Sequence, residues 1–263
     1  MVAAGLLLLD AREVLDGGVI EQSWSWVPTF GVHFTLRLNG LALLFSMLVL
    51  GVGALVMSYA PQYLSPDHDH GRLYGILTAF ATAMLGLVLA GDLVMLVVFW
   101  ELTTLASFLL VAGRGTVGSR PATRALFVTA GGGLALLGAV VLLVVRTGSS
   151  DIATVLVEAP ATLSGWELGA VGILVMLAAF TKSAQLPFHF WLPGAMVAIT
   201  PVSAYLHAAT LVKAGIYLLL LFSPLFANTP GWHLTLMAVG LSTSVFGAYQ
   251  ALKQNDLKAL LAY

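Results

Sequence analysis

Four side chains able to carry a proton sit in stretches that hold almost no other charge: Glu101, Lys182, His207 and Lys213. A charge at the centre of a hydrocarbon layer costs ~2.5–3.5 kcal/mol on insertion scales, so each of these asks for a reason. Glu101 falls near the middle of Leu93-Val94-Met95-Leu96-Val97-Val98-Phe99-Trp100-Glu101-Leu102-Thr103-Thr104. Burial and a nearby cation act on a carboxyl group in opposite directions, and a group balanced between them can gain and lose protons. A static helix-to-helix ion pair is the plainer alternative.

Lys182 lies in Leu177-Ala178-Ala179-Phe180-Thr181-Lys182-Ser183-Ala184-Gln185-Leu186-Pro187. Unlike arginine, lysine can give up its proton when its surroundings disfavour the charge. Pro187 has no N–H for the carbonyl of Ser183 and its ring clashes there, which predicts a helix break one residue past the lysine. Pro193 limits how the chain resumes. A broken helix at membrane depth is tolerated only when packed in protein or lining a wet cavity, so a lysine beside a break points to a transport path rather than to a snorkelling side chain.

His207 and Lys213 share one apolar stretch. In an unbroken α-helix their spacing gives about 9 Å of rise and about 240° of rotation, so they would face different neighbours at adjacent depths, as relay stations do. A hydrogen-bonded packing histidine is the plainer alternative for His207. His189, just past Pro187, is a secondary candidate, as is Asp92 at the edge of the stretch holding Glu101, although Asp92 also reads as a solvated boundary residue. Asp67-His68-Asp69-His70 has the residue types of a metal cluster but falls in a polar loop, so no metal is expected.

The elements that must position these residues follow from composition. Of 263 residues, 59% are hydrophobic and 9% charged, against roughly 25% charged in an ordinary soluble domain. A soluble chain of this length could not hide so much apolar surface. Lipid must be its solvent, which predicts an all-α, polytopic transmembrane bundle forming a single domain, because only helices satisfy their own backbone there. Seven stretches are long enough to span, at approximately 40–60, 73–91, 93–112, 123–145, 166–186, 201–222 and 232–250. Residues 1–39 read as a truncated span plus an outer interfacial segment rich in aromatics (Trp24, Trp26, Phe30, Phe34), and 251–263 as the start of a further helix. Both ends are expected to belong to spans that continue outside this sequence. Gly131-Gly132-Gly133 predicts close helix contact. A net charge of −1 gives no reason to expect nucleic acid, and the absence of cysteine excludes cysteine-ligated iron–sulfur clusters.

The string Thr181-Lys182-Ser183-Ala184-Gln185-Leu186-Pro187-Phe188-His189-Phe190-Trp191-Leu192-Pro193, continued by Thr200-Pro201-Val202-Ser203-Ala204-Tyr205-Leu206-His207-Ala208-Ala209-Thr210-Leu211-Val212-Lys213-Ala214-Gly215-Ile216-Tyr217, resembles the antiporter-like subunits shared by respiratory complex I and Mrp antiporters. Phe99-Trp100-Glu101-Leu102-Thr103, the Phe188-His189 pair and Lys213 resemble more closely the large subunit of Mrp-type sodium/proton antiporters, and the tail from Leu252 to Tyr263 is similar to the start of the family's next helix. The resemblance implies a fold of inverted five-helix repeats, with the first complete and the second begun. It also implies that Glu101 and Lys182 are the paired carboxylate and lysine of a proton-translocating unit, connected laterally by His207 and Lys213. Gly194, where an acid is expected, and Ala198-Ile199, where a proline is expected, depart from the pattern around the break.

The implied function is that of one subunit of a secondary monovalent cation/proton antiporter, not an enzyme, in the bacterial inner membrane. Its expected partners are lipid, other membrane subunits, protons and Na+ or another monovalent cation, and no cofactor is expected. The alternative is a proton-pumping membrane subunit of an NADH:quinone oxidoreductase or a membrane-bound hydrogenase. A b-type cytochrome using His189, His207 or His233 is disfavoured, because no two histidines share a helix at haem-stacking spacing.

Orientation follows from basic residues in short loops. Arg114, Arg120 and Arg124 follow the third stretch, and placing them in the cytoplasm puts Arg72, Lys253 and Lys258 there too. Arg37 and Arg146 then lie outside, the latter with Asp151, Glu158 and Glu167. Cysteines introduced at Gly115 and Ser150 are expected to label from opposite sides of intact cells, and labelling of Gly115 by an impermeant reagent from outside would overturn this topology.

Overall fold

The computed structural model describes residues 2–27, 29, 32–64, 70–113 and 120–263. Arg114, Phe30 and the Asp67-His68-Asp69 part of the acidic–histidine run lie outside the described residues. The chain begins with α1 (Val2–Leu15), a hairpin of β1 (Ile20–Val27) and β2 (Val32–Leu38), then α2 (Gly40–Tyr63), α3 (His70–Val88), α4 (Leu93–Ala112) and α5 (Arg120–Thr147). It continues with α6 (Ile152–Thr162), α7 (Gly165–Lys182), a 3-10 turn over Phe188–Phe190, and two short helices, α8 (Trp191–Ala195) and α9 (Thr200–Ala204). A π-helical turn (Tyr205–Ala209) then leads into α10 (Leu211–Phe222), α11 (Pro230–Ala251) and α12 (Leu257–Ala262).

Six of the described helical rods are long and apolar enough to cross a membrane, counting Thr200–Phe226 as one interrupted rod. The remaining expected stretch folds as α11, 22 residues long, which carries His233, Ser242, Thr243 and Ser244 and falls outside those six. Large apolar side chains such as Leu55, Phe127, Leu134, Val145 and Ile173 point outward from the bundle. That arrangement suits lipid rather than water as the surrounding medium.

Helix starts are set by side chains that accept otherwise orphaned backbone N–H groups. Asn39 accepts from the Ala42 amide at 2.9 Å, Asp151 from Thr154 at 2.7 Å and Asp256 from Ala259 at 2.9 Å. Ser164 and Glu167 form a capping box at the start of α7. The same Glu167 carboxylate takes the Arg146 guanidinium, with Nε at 2.6 Å from Oε1. Arg146 and Glu167 therefore leave the class of loop charges that their sequence positions suggest, and together they fasten the end of α5 to the start of α7.

Helix α5 packs against both α4 and α7, and α10 packs against α7. Small residues allow their close approach. A Cβ at Gly132 would collide with Thr181 of α7, and one at Gly215 of α10 with Ser183 and the Ala179 carbonyl. Gly131 faces open space, so two of the three consecutive glycines carry the helix contact.

The hairpin departs from the all-helical expectation. Ile20–Val27 and Val32–Leu38 pair antiparallel from Ile20↔Leu38 to Val27↔Val32, with a bulge between Ser25 and Val27. The alternation in Ser23-Trp24-Ser25-Trp26 and in His33-Phe34-Thr35-Leu36-Arg37-Leu38 is the period-2 signal for it. Hydrogen bonds from Arg37 N to Leu89 O and from Gly91 N to Thr35 O, both 2.8 Å, tie β2 to the loop between α3 and α4.

Candidate functional site

The break falls where the proline places it. α7 ends at Lys182, Ser183 donates its N–H to Ala179 O at 2.8 Å, and Gln185 donates to Phe180 O at 2.9 Å. The helix thus ends short of the expected residue 186, just before Ser183, whose carbonyl Pro187 cannot serve and against which its ring would clash. Ala184 takes a left-handed backbone, φ 51°, and the Leu186–Pro187 bond is cis. A left-handed backbone costs a non-glycine residue about 1–2 kcal/mol. Tertiary bonds hold the segment: Trp191 Nε1 donates to Thr181 O at 2.9 Å, Leu186 N to Thr243 Oγ1 of α11 at 3.0 Å, and Ser183 Oγ to Val212 O of α10 at 2.6 Å. Pro193 sits within α8, whose short length brings the chain round to α9.

Lys182 is wholly buried. Its ammonium donates to Thr104 Oγ1 at 2.7 Å and to Trp100 O at 3.1 Å, and lies 4.8 Å from the centre of the Trp100 ring. All three contacts belong to a single turn of α4. Glu101, the next residue on that turn, is half-buried, and its carboxylate occupies the space left by the missing Cβ of Gly133 in α5. The structure therefore brings the Lys182 ammonium to the turn of α4 that carries Glu101 but does not join the two. Among the described residues no ion pair links the two within 4.0 Å.

His207 lies in the π turn, its ring centre 6.3 Å from that of Trp191, and both ring nitrogens are buried without a hydrogen-bond partner. Thr210 plugs the widened turn by donating its hydroxyl to Tyr205 O at 2.7 Å. Because a π turn closes on i→i+5 bonds, the rotation expected between His207 and Lys213 in a continuous α-helix does not apply. Lys213 is half-buried in the first turn of α10, and its ammonium has no partner among the described residues. His189 packs edge-on against Phe246 of α11 at 4.6 Å, with Nδ1 buried and unpartnered.

Asp92 is the clear correction. It is 2% exposed and not a solvated boundary residue. One carboxylate oxygen caps α4, accepting from Val94 N at 2.7 Å and Met95 N at 3.3 Å, and the other accepts the Ser150 hydroxyl. It borders a cavity of about 410 Å³ that Glu21, His33 and Asp151 also line and that excludes Glu101 and Lys182. Sequence reasoning missed Trp100 and Thr104 as partners of Lys182. The available signal was Thr103-Thr104 directly after Trp100-Glu101 in an otherwise apolar run.

Membrane-length helices packed around a fully buried lysine at the end of a broken helix define a polytopic membrane protein. The family model described as "NADH:quinone oxidoreductase/Mrp antiporter, TM" matches residues 90–263, and the model for the complex I chain 5 N-terminus matches residues 24–74. The chain belongs to this NADH:quinone oxidoreductase/Mrp antiporter family. It is 46% identical to a probable K(+)/H(+) antiporter subunit of Rhizobium meliloti, over 100% of this chain and 26% of that protein. It is 43% identical to a Na(+)/H(+) antiporter subunit of Staphylococcus aureus, over 98% of this chain and 32% of that protein. The Mrp complex of Dietzia sp. contains a chain that superposes with a TM-score of 0.91 at 49% identity, covering 99% of this chain and 29% of that one. The chain thus spans about a quarter to a third of the length of the curated relatives it matches.

If Asp92 serves as a cap, Asp92→Asn keeps exchange near wild type, while Asp92→Ala lowers stability by about 1 kcal/mol. Thermal melting and transport by the two variants check this, and loss of exchange in a normally stable Asp92→Asn would restore a proton-carrying role.

Proposed function

We propose that this chain forms part of the proton-conducting unit of a secondary monovalent-cation/proton antiporter of the Mrp type, in a bacterial inner membrane and beside other membrane subunits. In this reading α11 also spans the membrane. Glu101 and Lys182 form the titrating unit, and His207 and Lys213 carry protons laterally from it. The observation that carries the reading is the Lys182 ammonium, wholly buried and bound only by neutral groups at the end of a broken helix. A buried charge without a counter-ion in contact is the costly arrangement, and a lysine can relieve the cost by releasing its proton. The unpartnered nitrogens of His207 are a suitable next station, because a histidine exchanges protons through either of them. Rearrangement at the break that moved Lys182 toward Glu101 would favour the charged form of both. A membrane potential of 100 mV supplies ~2.3 kcal/mol per charge, enough to drive such a step. The relatives named as K(+)/H(+) and Na(+)/H(+) antiporter subunits support antiport over quinone-linked pumping.

Lys182→Arg in the full-length protein within its complex is the test, because guanidinium keeps the charge but cannot release a proton at usable pH. Cation-dependent dequenching of a pH dye in everted vesicles is expected to fall by about ten-fold or more. Wild-type exchange by Lys182→Arg would leave a fixed structural charge as the better account.

A further inference from the structure

The three groups that hold the Lys182 ammonium differ in what they can offer. The Trp100 carbonyl and the face of its indole only accept, whereas the Thr104 hydroxyl can both accept and donate. An ammonium presents three donors and no acceptor, so the three groups match it one for one. A neutral amine keeps two N–H groups and gains a lone pair, which then needs a donor. Of the three, only Thr104 carries a hydrogen to give. Its hydroxyl is within 3.1 Å of Trp100 O, to which it donates, and 2.7 Å from Lys182 Nζ, from which it accepts. Thr103 makes a similar bond to Trp100 O at 2.7 Å and has no bond to Lys182, so the carbonyl stays partnered if the Thr104 hydrogen turns away.

We propose that Thr104 is a positioning residue that keeps Lys182 partnered in both of its charge states, accepting from the ammonium and donating to the amine once the proton has moved on. The inference rests on the proposed proton-carrying role of Lys182. Thr104 itself gains and loses no proton. Its hydroxyl hydrogen turns from the Trp100 carbonyl to the lysine nitrogen, and the departing lysine proton goes to the next group of the path. Without that rotation, one state of Lys182 would leave a buried polar atom unsatisfied, at a penalty that slows every cycle. The wholly buried position of both side chains excludes the bulk water that could otherwise serve.

The test uses Thr104→Val, which keeps the shape and removes the hydroxyl, in the full-length protein within its complex in everted vesicles. The maximal exchange rate is expected to fall about ten-fold, and the pH of half-maximal exchange to move by about one unit, with little change in the apparent KM for the cation. Thr104→Ser is expected to restore both rate and pH profile. If Thr104→Val does not assemble, Thr104→Ala takes its place with the same expected result. A wild-type rate and pH profile in the hydroxyl-less variant overturns the inference, as does Thr104→Ser when it assembles and remains equally impaired. Lys182→Ala, run alongside, separates the two levels. Retained exchange there removes the role of Lys182 itself, whereas loss there with an unaffected Thr104→Val removes only the role of Thr104.

Discussion

The architecture depends on one costly object, the ammonium of Lys182, fully buried and held by uncharged atoms. An ion in a dry interior is stabilised by good geometry or is neutralised. Here the geometry is good but no counter-ion is in contact, which leaves the group tolerable as an ion and able to become neutral. The surrounding elements can be read as the means of maintaining that balance. α4 supplies three acceptors from a single turn, α5 supplies a glycine that receives the Glu101 carboxylate, and α7 supplies the lysine from its last helical residue.

The break beside the lysine is held from several sides. Pro187 ends the helix, but the left-handed Ala184 and the non-helical loop after it persist because hydrogen bonds made by Trp191, Thr243 and Ser183 cross it. Trp191 serves twice, since its indole N–H seals the end of α7 while its ring lies against His207. A shift at the break would therefore reach the π turn directly through one rigid side chain.

Much of this is legible in the sequence because lipid leaves so few alternatives. The apolar runs have to be helices, and their limits are correct to within a few residues wherever a proline or a capping side chain marks them, as at Asn39 and Pro187. The ionisable set is legible because charges stand out in apolar surroundings. What stays hidden depends on contacts between distant segments. Asp92 looks like a solvated edge, yet Ser150 and the start of α4 bury it. The π turn at His207 leaves no local signature, since the Thr210 hydroxyl that fills it reads as one more threonine. The hairpin is written plainly as alternation, but the aromatic composition of the same residues argues equally for an irregular interfacial segment.

The central claim is that Glu101 of α4 and Lys182 of α7 act as one titrating unit despite making no direct ion pair. The most direct measurement compares exchange rates of Glu101→Ala, Lys182→Ala and the double variant in proteoliposomes of the complete complex. If the two residues form a single unit, each single variant nearly abolishes exchange and the double is no worse than either, because the second substitution removes a partner that no longer has a function. Two partial losses that multiply in the double variant would show that the residues act independently, which contradicts the single titrating unit.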